Sequence, residues 1–303
     1  MVVLHSIEEL TRVPGPVHLA IGVFDGVHID HQAVIRTSMA QPDGTAVVVT
    51  FDPHPARVLR PDRAPLMLTS TRHKLAILER LGVRQVLVLV FDARLAATEA
   101  EEFVRELESA CCPLGSIAVG EDWTFGYRAR GSVALLRSLG LTVHAVAPVE
   151  VEGVAARSTG VRTALEVGDF ACAARLLGRP PTVLGRVVAG RQLGRKIGFR
   201  TANLELENEQ LPPNGVYAVR ATLDQRPLAG VANLGLRPSV ESGDLERRLE
   251  VHLFDFSEEI YGRDLEVEWT AFLRPEQTFP SLDALTAQIA RDAARARSLL
   301  EVA

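Results

Sequence analysis

Two histidines three residues apart are the first chemically suggestive feature of this sequence. His28 and His31 lie within IGVFDGVHIDHQ (21–32), where an apolar run gives way to helical periodicity, so both side chains share one face at the start of a helix. The free N–H groups and the dipole of a helix N-terminus attract phosphate. Histidines placed there can donate hydrogen bonds to phosphoryl oxygens as negative charge develops, which suits nucleotidyl transfer. The spacing alone is more often that of two incidental surface histidines.

A glycine-rich basic segment, GRQLGRKIGFRTANLE (190–205), is the second candidate for phosphate chemistry. Gly190 and Gly198 permit a loop whose backbone amides can approach phosphates. Thr201 and Asn203 supply the hard oxygen ligands that Mg²⁺ prefers. On pattern alone, a glycine-rich hairpin with solvated Arg and Lys side chains is at least as common.

Three further segments place polar or aromatic residues in or beside apolar runs. TFDPHP (50–55) ends one such run, GEDWTFG (120–126) contains Trp123 and Phe125, and EVHLFDF begins with Glu250. Taken singly, the first is typical of a turn at a strand end and the second of aromatic packing. Glu250, on pattern alone, is a solvent-facing strand residue.

Apolar runs alternate with helical patterns through the first part of the chain. Near-continuous Val, Ile and Leu strands separated by helices predict a parallel sheet that is covered on both faces. The predicted strands are 17–24, 45–51, 85–91, 116–120 and 141–149. The predicted helices are 32–39, 71–81, 100–107 and 132–139.

From about residue 181 the pattern changes to short β-branched segments divided by Gly, Pro, Asn and Asp. This spacing predicts an antiparallel sheet or a small barrel. An apolar stripe then predicts one helix over 283–300. The Gly and Pro residues of LLGRPPT (176–182) stop a helix, so we predict two domains, 1–180 and 181–303.

The composition excludes several classes of partner. A formal net charge of −5 gives no global attraction for nucleic acid or for an anionic membrane, so phosphate chemistry needs local groups. Cys111, Cys112 and Cys172 contain no C-x-x-C spacing, which is typical of reduced thiols in the cytoplasm. The sequence shows neither a signal-peptide pattern nor an apolar run of bilayer length. We expect a cytoplasmic protein that binds small molecules, and the sequence leaves its oligomeric state open.

Taken together, the motifs resemble those of bacterial bifunctional FAD synthetases. GVFDGVH with its second histidine, TFDPHP, GEDWTFG, STGVR (158–162) and GDFACAARLLGRP (168–180) follow in that family's order. GFRTAN resembles the G-F-P-T-A-N motif of riboflavin kinases, and GVYAV, GVANLG, RPS, EVHLFDF and YGRDLEVEW continue the match. The resemblance implies an α/β fold class, with a Rossmann-like nucleotidylyltransferase domain built on a parallel sheet. An antiparallel β-barrel riboflavin kinase domain with a terminal helix would follow it.

The resemblance also implies two consecutive reactions that both use ATP and Mg²⁺. Riboflavin would be phosphorylated to FMN, and AMP would then be transferred to FMN, which yields FAD and pyrophosphate. By this resemblance, His28 and His31 stabilise the transition state of adenylyl transfer. The implied nucleotide-binding residues of this domain are Gly22, Phe24, Asp25, Ser158, Thr159 and Arg162. The implied flavin-binding residues are Asp52, Pro53, His54, Pro55 and Phe125.

In the kinase domain, the resemblance makes Glu250 the general base that takes the proton of the terminal ribityl hydroxyl. Thr201 and Asn203 would place Mg²⁺ and ATP. Gly190 and Gly198 would belong to the nucleotide-binding loop.

Three residues depart from the family pattern. Asp30 replaces the glycine between the two histidines, and a carboxylate there repels ATP phosphates. Arg157 replaces a serine and can offset the charge of Asp30, whereas Arg200 replaces a proline and loosens the turn before Thr201. We therefore expect Asp30 to slow FMN adenylylation. Two alternatives stay open: a divergent paralogue with kinase activity alone or with another nucleotide or flavin analogue, and a non-catalytic flavin-binding protein.

Overall fold

The computed structural model describes residues 1–189, 199–207, 210–238 and 245–301. The chain divides into two compact units, Met1–Met67 with Thr71–Ser158 and Leu68–Ser70 with Thr159–Ala303. Residues 159–180, assigned above to the first domain, are thus grouped with the second unit. A domain boundary at residue 180 stays a prediction.

The first unit is built on a six-stranded, all-parallel sheet with the order β1-β4-β3-β2-β5-β8. Two short antiparallel pairs, β6 with β7 and β9 with β10, accompany it. The strands are β1 Val2–Leu4, β2 Val17–Ile21, β3 Thr45–Asp52, β4 Gln85–Val90, β5 Leu114–Gly120, β6 Thr124–Phe125, β7 Gly131–Ser132, β8 Val143–Val146, β9 Glu150–Val151 and β10 Val154–Ala155.

Both faces of this sheet are buried, as the near-continuous apolar strands predict. In β2, Leu19 belongs to the apolar cluster on one face, together with Phe103 and Leu107, whereas the next residue, Ala20, belongs to the cluster on the other face with Ile35. The helices are α1 Ile29–Met39, α2 Pro55–Leu59, α3 Thr71–Arg80, α4 Ala93–Ala97, α5 Ala100–Ala110 and α6 Val133–Ser138. The predicted doubly covered parallel sheet is confirmed.

The second unit is a closed barrel of six antiparallel strands with the order β11-β12-β15-β14-β13-β16. Its strands are β11 Thr182–Val188, β12 Ala202–Leu206, β13 Gly215–Leu223, β14 Arg226–Pro238, β15 Leu245–Leu253 and β16 Asp264–Arg274. The helices are α7 Ser158–Glu166 and α8 Phe170–Leu177 before the barrel and α9 Leu282–Leu300 after it. The predicted barrel with a terminal helix is confirmed, although β12 was not predicted as a strand.

The terminal helix covers one side of the barrel. Ala296 and Leu300 of α9 are buried in one apolar cluster with Val216 of β13, and with Phe254, which follows β15. In the part of the chain that the structure describes, none of the helices combines the length and the apolar character needed to cross a bilayer.

A buried ion pair fastens α9 to the barrel. Nε and Nη2 of Arg274, in β16, donate three hydrogen bonds of 2.8–3.1 Å to the carboxylate of Asp292. The side chains are only 15% and 7% exposed, so each charge depends on the other for solvation. Nε2 of Gln288 donates a further hydrogen bond of 2.8 Å to Asp292.

We expect Asp292→Ala to lower the free energy of unfolding of the second unit by about 3–5 kcal/mol, because it leaves a buried guanidinium without its carboxylate. Asp283→Ala, at an exposed acidic position of the same helix, should cost less than about 1 kcal/mol. Urea titrations in a Trp123→Phe background, followed by Trp269 fluorescence, isolate the second unit. Equal transition midpoints for the two variants would contradict this role of the ion pair.

Candidate functional site

Several of the predicted N-terminal site residues lie at one edge of the parallel sheet. Carboxyl ends of parallel strands meet at the same edge, where ligands of open α/β sheets bind. The loop 22–28 follows β2 and leads into α1, while Asp52 ends β3 and Pro53 follows it. The topology therefore brings the first histidine motif and TFDPHP to neighbouring strand ends, since β2 and β3 pair directly.

The loop 22–28 has an unusual backbone. Phe24 has φ +51° and Val27 has φ +45°, in the left-handed region that side chains other than glycine rarely adopt. The Phe24 ring is buried, and a Cβ at Gly22 would lie 2.8 Å from one of its ring carbons. The glycine at position 22 is therefore required by the way that Phe24 packs.

The two histidines lie together at the start of α1. His28 is the N-cap, and its Nδ1 accepts a hydrogen bond of 3.4 Å from the backbone N–H of His31. Their rings stack with centroids 3.5 Å apart, and the Phe24 ring meets His31 edge-on at 5.3 Å. Burial, followed by the nearby His28 and Lys74, lowers the pKa of His31 well below its usual range. His31 is therefore neutral at pH 7, and its buried Nδ1 has no hydrogen-bond partner among the described residues.

Ser158 is tied to the same loop. Its Oγ donates a hydrogen bond of 2.9 Å to the carbonyl oxygen of Asp25, which is itself buried. Ser158 is the last residue of the first unit and the first residue of α7. Thr159 and Arg162 follow in α7 within the second unit, and their contact with ATP phosphates stays a prediction.

Asp30 and Arg157 have separate hydrogen-bond partners in the structure. Oδ1 of Asp30 accepts a hydrogen bond of 2.8 Å from the backbone N–H of Val149. Nη2 of Arg157 donates to Oδ2 of Asp122 at 3.0 Å, and the side chains of both residues are about 60% exposed. Arg157 thus forms its ion pair with Asp122, while its charge still acts on Asp30 in the expected direction. Burial raises the pKa of Asp30, the Val149 N–H lowers it, and the charges of Asp122 and Arg157 act in opposite directions.

An apolar cavity of about 800 Å³ opens beside this edge of the first unit. Pro55 and Phe125 line it, together with Trp123, whose ring stacks on Phe125 with centroids 4.5 Å apart. Arg60 and Arg128 also line it and supply positive charge. The volume and the aromatic lining suit a planar ring ligand.

Three of the predicted flavin residues are not among those that line this cavity. Asp52 and Pro53 lie at and beyond the end of β3, and Nδ1 of His54 accepts a hydrogen bond of 3.1 Å from the N–H of Ala56 as the N-cap of α2. Their contact with flavin stays a prediction. The basic lining residues were not selected from the sequence, because isolated arginines carry no motif.

In the barrel, two of the predicted kinase residues, Asn203 and Glu250, belong to a row across three strands. Asn203 of β12 pairs directly with Glu250 of β15, and Glu250 pairs with Asn233 of β14. Directly paired residues share a face of the sheet. The alternate residues, which include Leu249 and Leu234, are buried in the barrel interior, so the row lies half-buried on the outer face.

Asn233 and Glu276 are site neighbours that the sequence did not reveal. Nδ2 of Asn233 donates a hydrogen bond of 3.4 Å to Oε1 of Glu276. A Cβ at Gly235, two residues further along β14, would collide with the Glu276 carboxylate. Gly235, the second glycine of GVANLG, therefore makes room for a second carboxylate beside the row.

The segment that leads into β12 is described only in part. Gly190 and Gly198 lie outside the described residues, whereas Thr201 directly precedes β12. The carbonyl oxygen of Arg200 lies 2.8 Å from Nδ1 of His252, and Nη1 of Arg200 donates a hydrogen bond of 3.2 Å to the carbonyl oxygen of Ser257. Arg200 is thus held by both its backbone and its side chain where the family pattern has proline.

Two family models match consecutive parts of the chain. The model described as FAD synthetase matches residues 11–160, and the model described as riboflavin kinase matches residues 177–300. The chain is 40% identical over 98% of its length to the Escherichia coli (strain K12) protein named bifunctional riboflavin kinase/FMN adenylyltransferase, of which it covers 97%. It is 41% identical over 92% of its length to the protein of that name from Pseudomonas fluorescens, of which it covers 91%.

A solved structure from Streptococcus pneumoniae, named as a macrolide-efflux protein, is 31% identical and gives a TM-score of 0.81, with 96% of this chain and 97% of that chain covered. The fold and the two sites define a transferase class that joins a nucleotidyltransferase-type α/β unit to a kinase-type barrel. The chain belongs to the bifunctional riboflavin kinase/FMN adenylyltransferase family, as its motifs indicate.

We expect Asp30→Asn to raise kcat/KM for ATP in FAD formation about fivefold, the effect of removing roughly 1 kcal/mol of charge repulsion. Asparagine keeps an oxygen that can accept from the Val149 N–H, so the thermal midpoint should stay near that of the parent. Asp30→Gly removes charge and hydrogen bond together, and should also lower the midpoint. Unchanged FAD formation in both variants would show that the carboxylate does not act on the phosphates.

Proposed function

We propose that the protein phosphorylates riboflavin to FMN with ATP and then transfers AMP from a second ATP to FMN, which yields FAD and pyrophosphate. The observation that carries the proposal is the row of Asn203, Glu250 and Asn233, which places a carboxylate between two amides on a rigid barrel. Relatives that share nearly the full length of this chain carry both activities in their names.

In the kinase reaction, Glu250 is the general base. A carboxylate at this position orients the terminal ribityl hydroxyl of riboflavin and takes its proton as the oxygen attacks the γ-phosphorus of ATP. Asn203 and Asn233 flank Glu250 and hold the substrate hydroxyl in line through their amides. Catalysis of phosphoryl transfer depends mainly on such positioning.

Thr201 and Asn203 would hold Mg²⁺ in the kinase reaction. Their hydroxyl and amide oxygens are the hard oxygen donors that this cation prefers. When bound, the metal neutralises the charge that develops on the β- and γ-phosphate oxygens.

In the adenylyl transfer, the loop 22–28 and the start of α1 bind the nucleotide. His28 and His31 donate hydrogen bonds to the α-phosphate oxygens as the FMN phosphate attacks. The buried Nδ1 of His31, which has no hydrogen-bond partner among the described residues, supports this assignment. The cavity lined by Phe125 and Trp123 holds the flavin ring by stacking.

We also propose that the protein acts in the cytoplasm on small-molecule substrates and does not bind nucleic acid. The net charge of −5 supports the second point. The three cysteines are free thiols, as is usual in the cytoplasm, and this supports the first point.

We expect Glu250→Gln to lower kcat for FMN formation about 10²-fold or more, the usual effect of losing a general base, at every Mg²⁺ concentration. Asn203→Ala should instead raise the Mg²⁺ concentration needed for half-maximal rate by about tenfold or more. Initial rates measured across a Mg²⁺ titration separate the two roles.

Both variants should adenylylate supplied FMN within about twofold of the parent rate, because the changed residues lie in the other unit. This reaction is the internal control for folding. Near-parental FMN formation by Glu250→Gln would show that Glu250 is not the general base. An unshifted Mg²⁺ dependence of Asn203→Ala would show that Asn203 is not a metal ligand.

A further inference from the structure

Lys74 is buried in the first unit, where a charged side chain is costly unless it is well bonded. It belongs to α3, and only 1% of its surface is exposed. Its Nζ donates a hydrogen bond of 2.8 Å to the carbonyl oxygen of Val23 and another of 3.1 Å to Oγ1 of Thr50. Val23 follows β2 and Thr50 lies in β3, so one ammonium joins two neighbouring strand ends.

The Val23 carbonyl is the part of the loop 22–28 that these hydrogen bonds hold in place. Oγ1 of Thr50 donates a second hydrogen bond of 2.9 Å to the same oxygen. Val23 directly precedes Phe24, the first of the two non-glycine residues of the loop with positive φ. The second is Val27, whose carbonyl oxygen accepts a hydrogen bond of 3.0 Å from Nε2 of Gln32. Side-chain donors thus hold the backbone at both strained positions, which such strain requires.

The ammonium also acts electrostatically on the same site. Asp25, from the loop, and Asp52, from β3, favour its charged form, while burial opposes them and lowers the pKa of Lys74 to about 8. His31, at the start of α1, responds to the same ammonium. Burial lowers the pKa of His31, and the charges of His28 and Lys74 lower it further. The charged form of Lys74 therefore adds to the effect of burial, which keeps the His31 imidazole neutral.

We propose that Lys74 is a positioning residue for adenylyl transfer, which fixes the Val23 carbonyl so that the loop presents its amides and both histidines to the nucleotide. The role rests on the proposed adenylyltransferase function. Nothing in the motifs singles out Lys74, because it lies in α3, away from the histidine motif in sequence. A purely structural lysine would stabilise the unit without affecting the protonation of His31.

The test compares Lys74→Met, which keeps an unbranched side chain of nearly the same length and removes its charge, with Lys74→Arg, which keeps the charge. Lys74→Met should lower kcat for FAD formation from FMN and ATP by about tenfold or more, since small misplacements of binding groups are costly. KM for FMN should change little, because the flavin cavity is not touched. Kinase activity in the same preparation should stay within about twofold, which reports that the chain is folded.

The second readout is the titration of His31 by NMR of ¹³C-labelled histidine, assigned with His31→Gln. Removing a neighbouring positive charge raises a histidine pKa, so His31 should protonate at higher pH in Lys74→Met and near the parental pH in Lys74→Arg. Thr50→Val removes one hydrogen-bond donor to the Val23 carbonyl and keeps the Lys74 ammonium. It should slow FAD formation less than Lys74→Met does and leave the pKa of His31 unchanged.

An unmoved His31 titration in Lys74→Met, or FAD formation within about twofold of the parent, would overturn the proposal. Loss of both activities in Lys74→Met together with a fully active Thr50→Val would also overturn it, since Lys74 would then only stabilise the fold. A parent protein that makes no FAD would refute the adenylyltransferase function instead, and the NMR titration would still test the action of Lys74 on His31.

Discussion

The candidate site of the first unit depends on the loop 22–28, whose backbone conformation is unfavourable for two of its residues. Phe24 and Val27 adopt positive φ, at a cost on the order of 1–3 kcal/mol each, and the surrounding side chains hold them there. The Val23 carbonyl accepts two side-chain hydrogen bonds, and Gly22 leaves room for the Phe24 ring. In return, Phe24 packs edge-on against His31 at the start of α1. The strain and the histidine geometry are therefore parts of one arrangement.

In the second unit the corresponding constraint is the register of the closed barrel. Leu249 and Leu234 pair inside the barrel, which places Glu250 and Asn233 opposite one another on its outer face. A slip of one residue would turn the polar row inward and the leucines outward, so the apolar core fixes the position of the proposed base. In both units, therefore, the packing of buried apolar side chains fixes the positions of a few polar groups.

The sequence predicted most of the architecture because continuous Val, Ile and Leu strands and periodic helices are local patterns. It missed β1, a three-residue edge strand, and β12, whose residues lie in a glycine-rich segment that is also typical of a hairpin. Motifs located the histidines and Glu250. The Asp30–Val149 and Asn233–Glu276 contacts were not predictable, because their partners are 119 and 43 residues apart and neither belongs to a motif pair. The Arg157–Asp122 pair was not predicted for the same reason, since the two residues are 35 apart in the chain.

The most direct measurement of the central claim is a time course of the purified protein with riboflavin, ATP and Mg²⁺, with flavins separated by chromatography and pyrophosphate quantified. The account predicts that FMN appears first and is then converted to FAD, with one pyrophosphate released for each FAD formed. If FMN is the final product with each of ATP, CTP and GTP, then the loop 22–28 and its histidines do not catalyse adenylyl transfer. That result would favour a paralogue with kinase activity alone. Formation of neither flavin nucleotide would contradict the account as a whole.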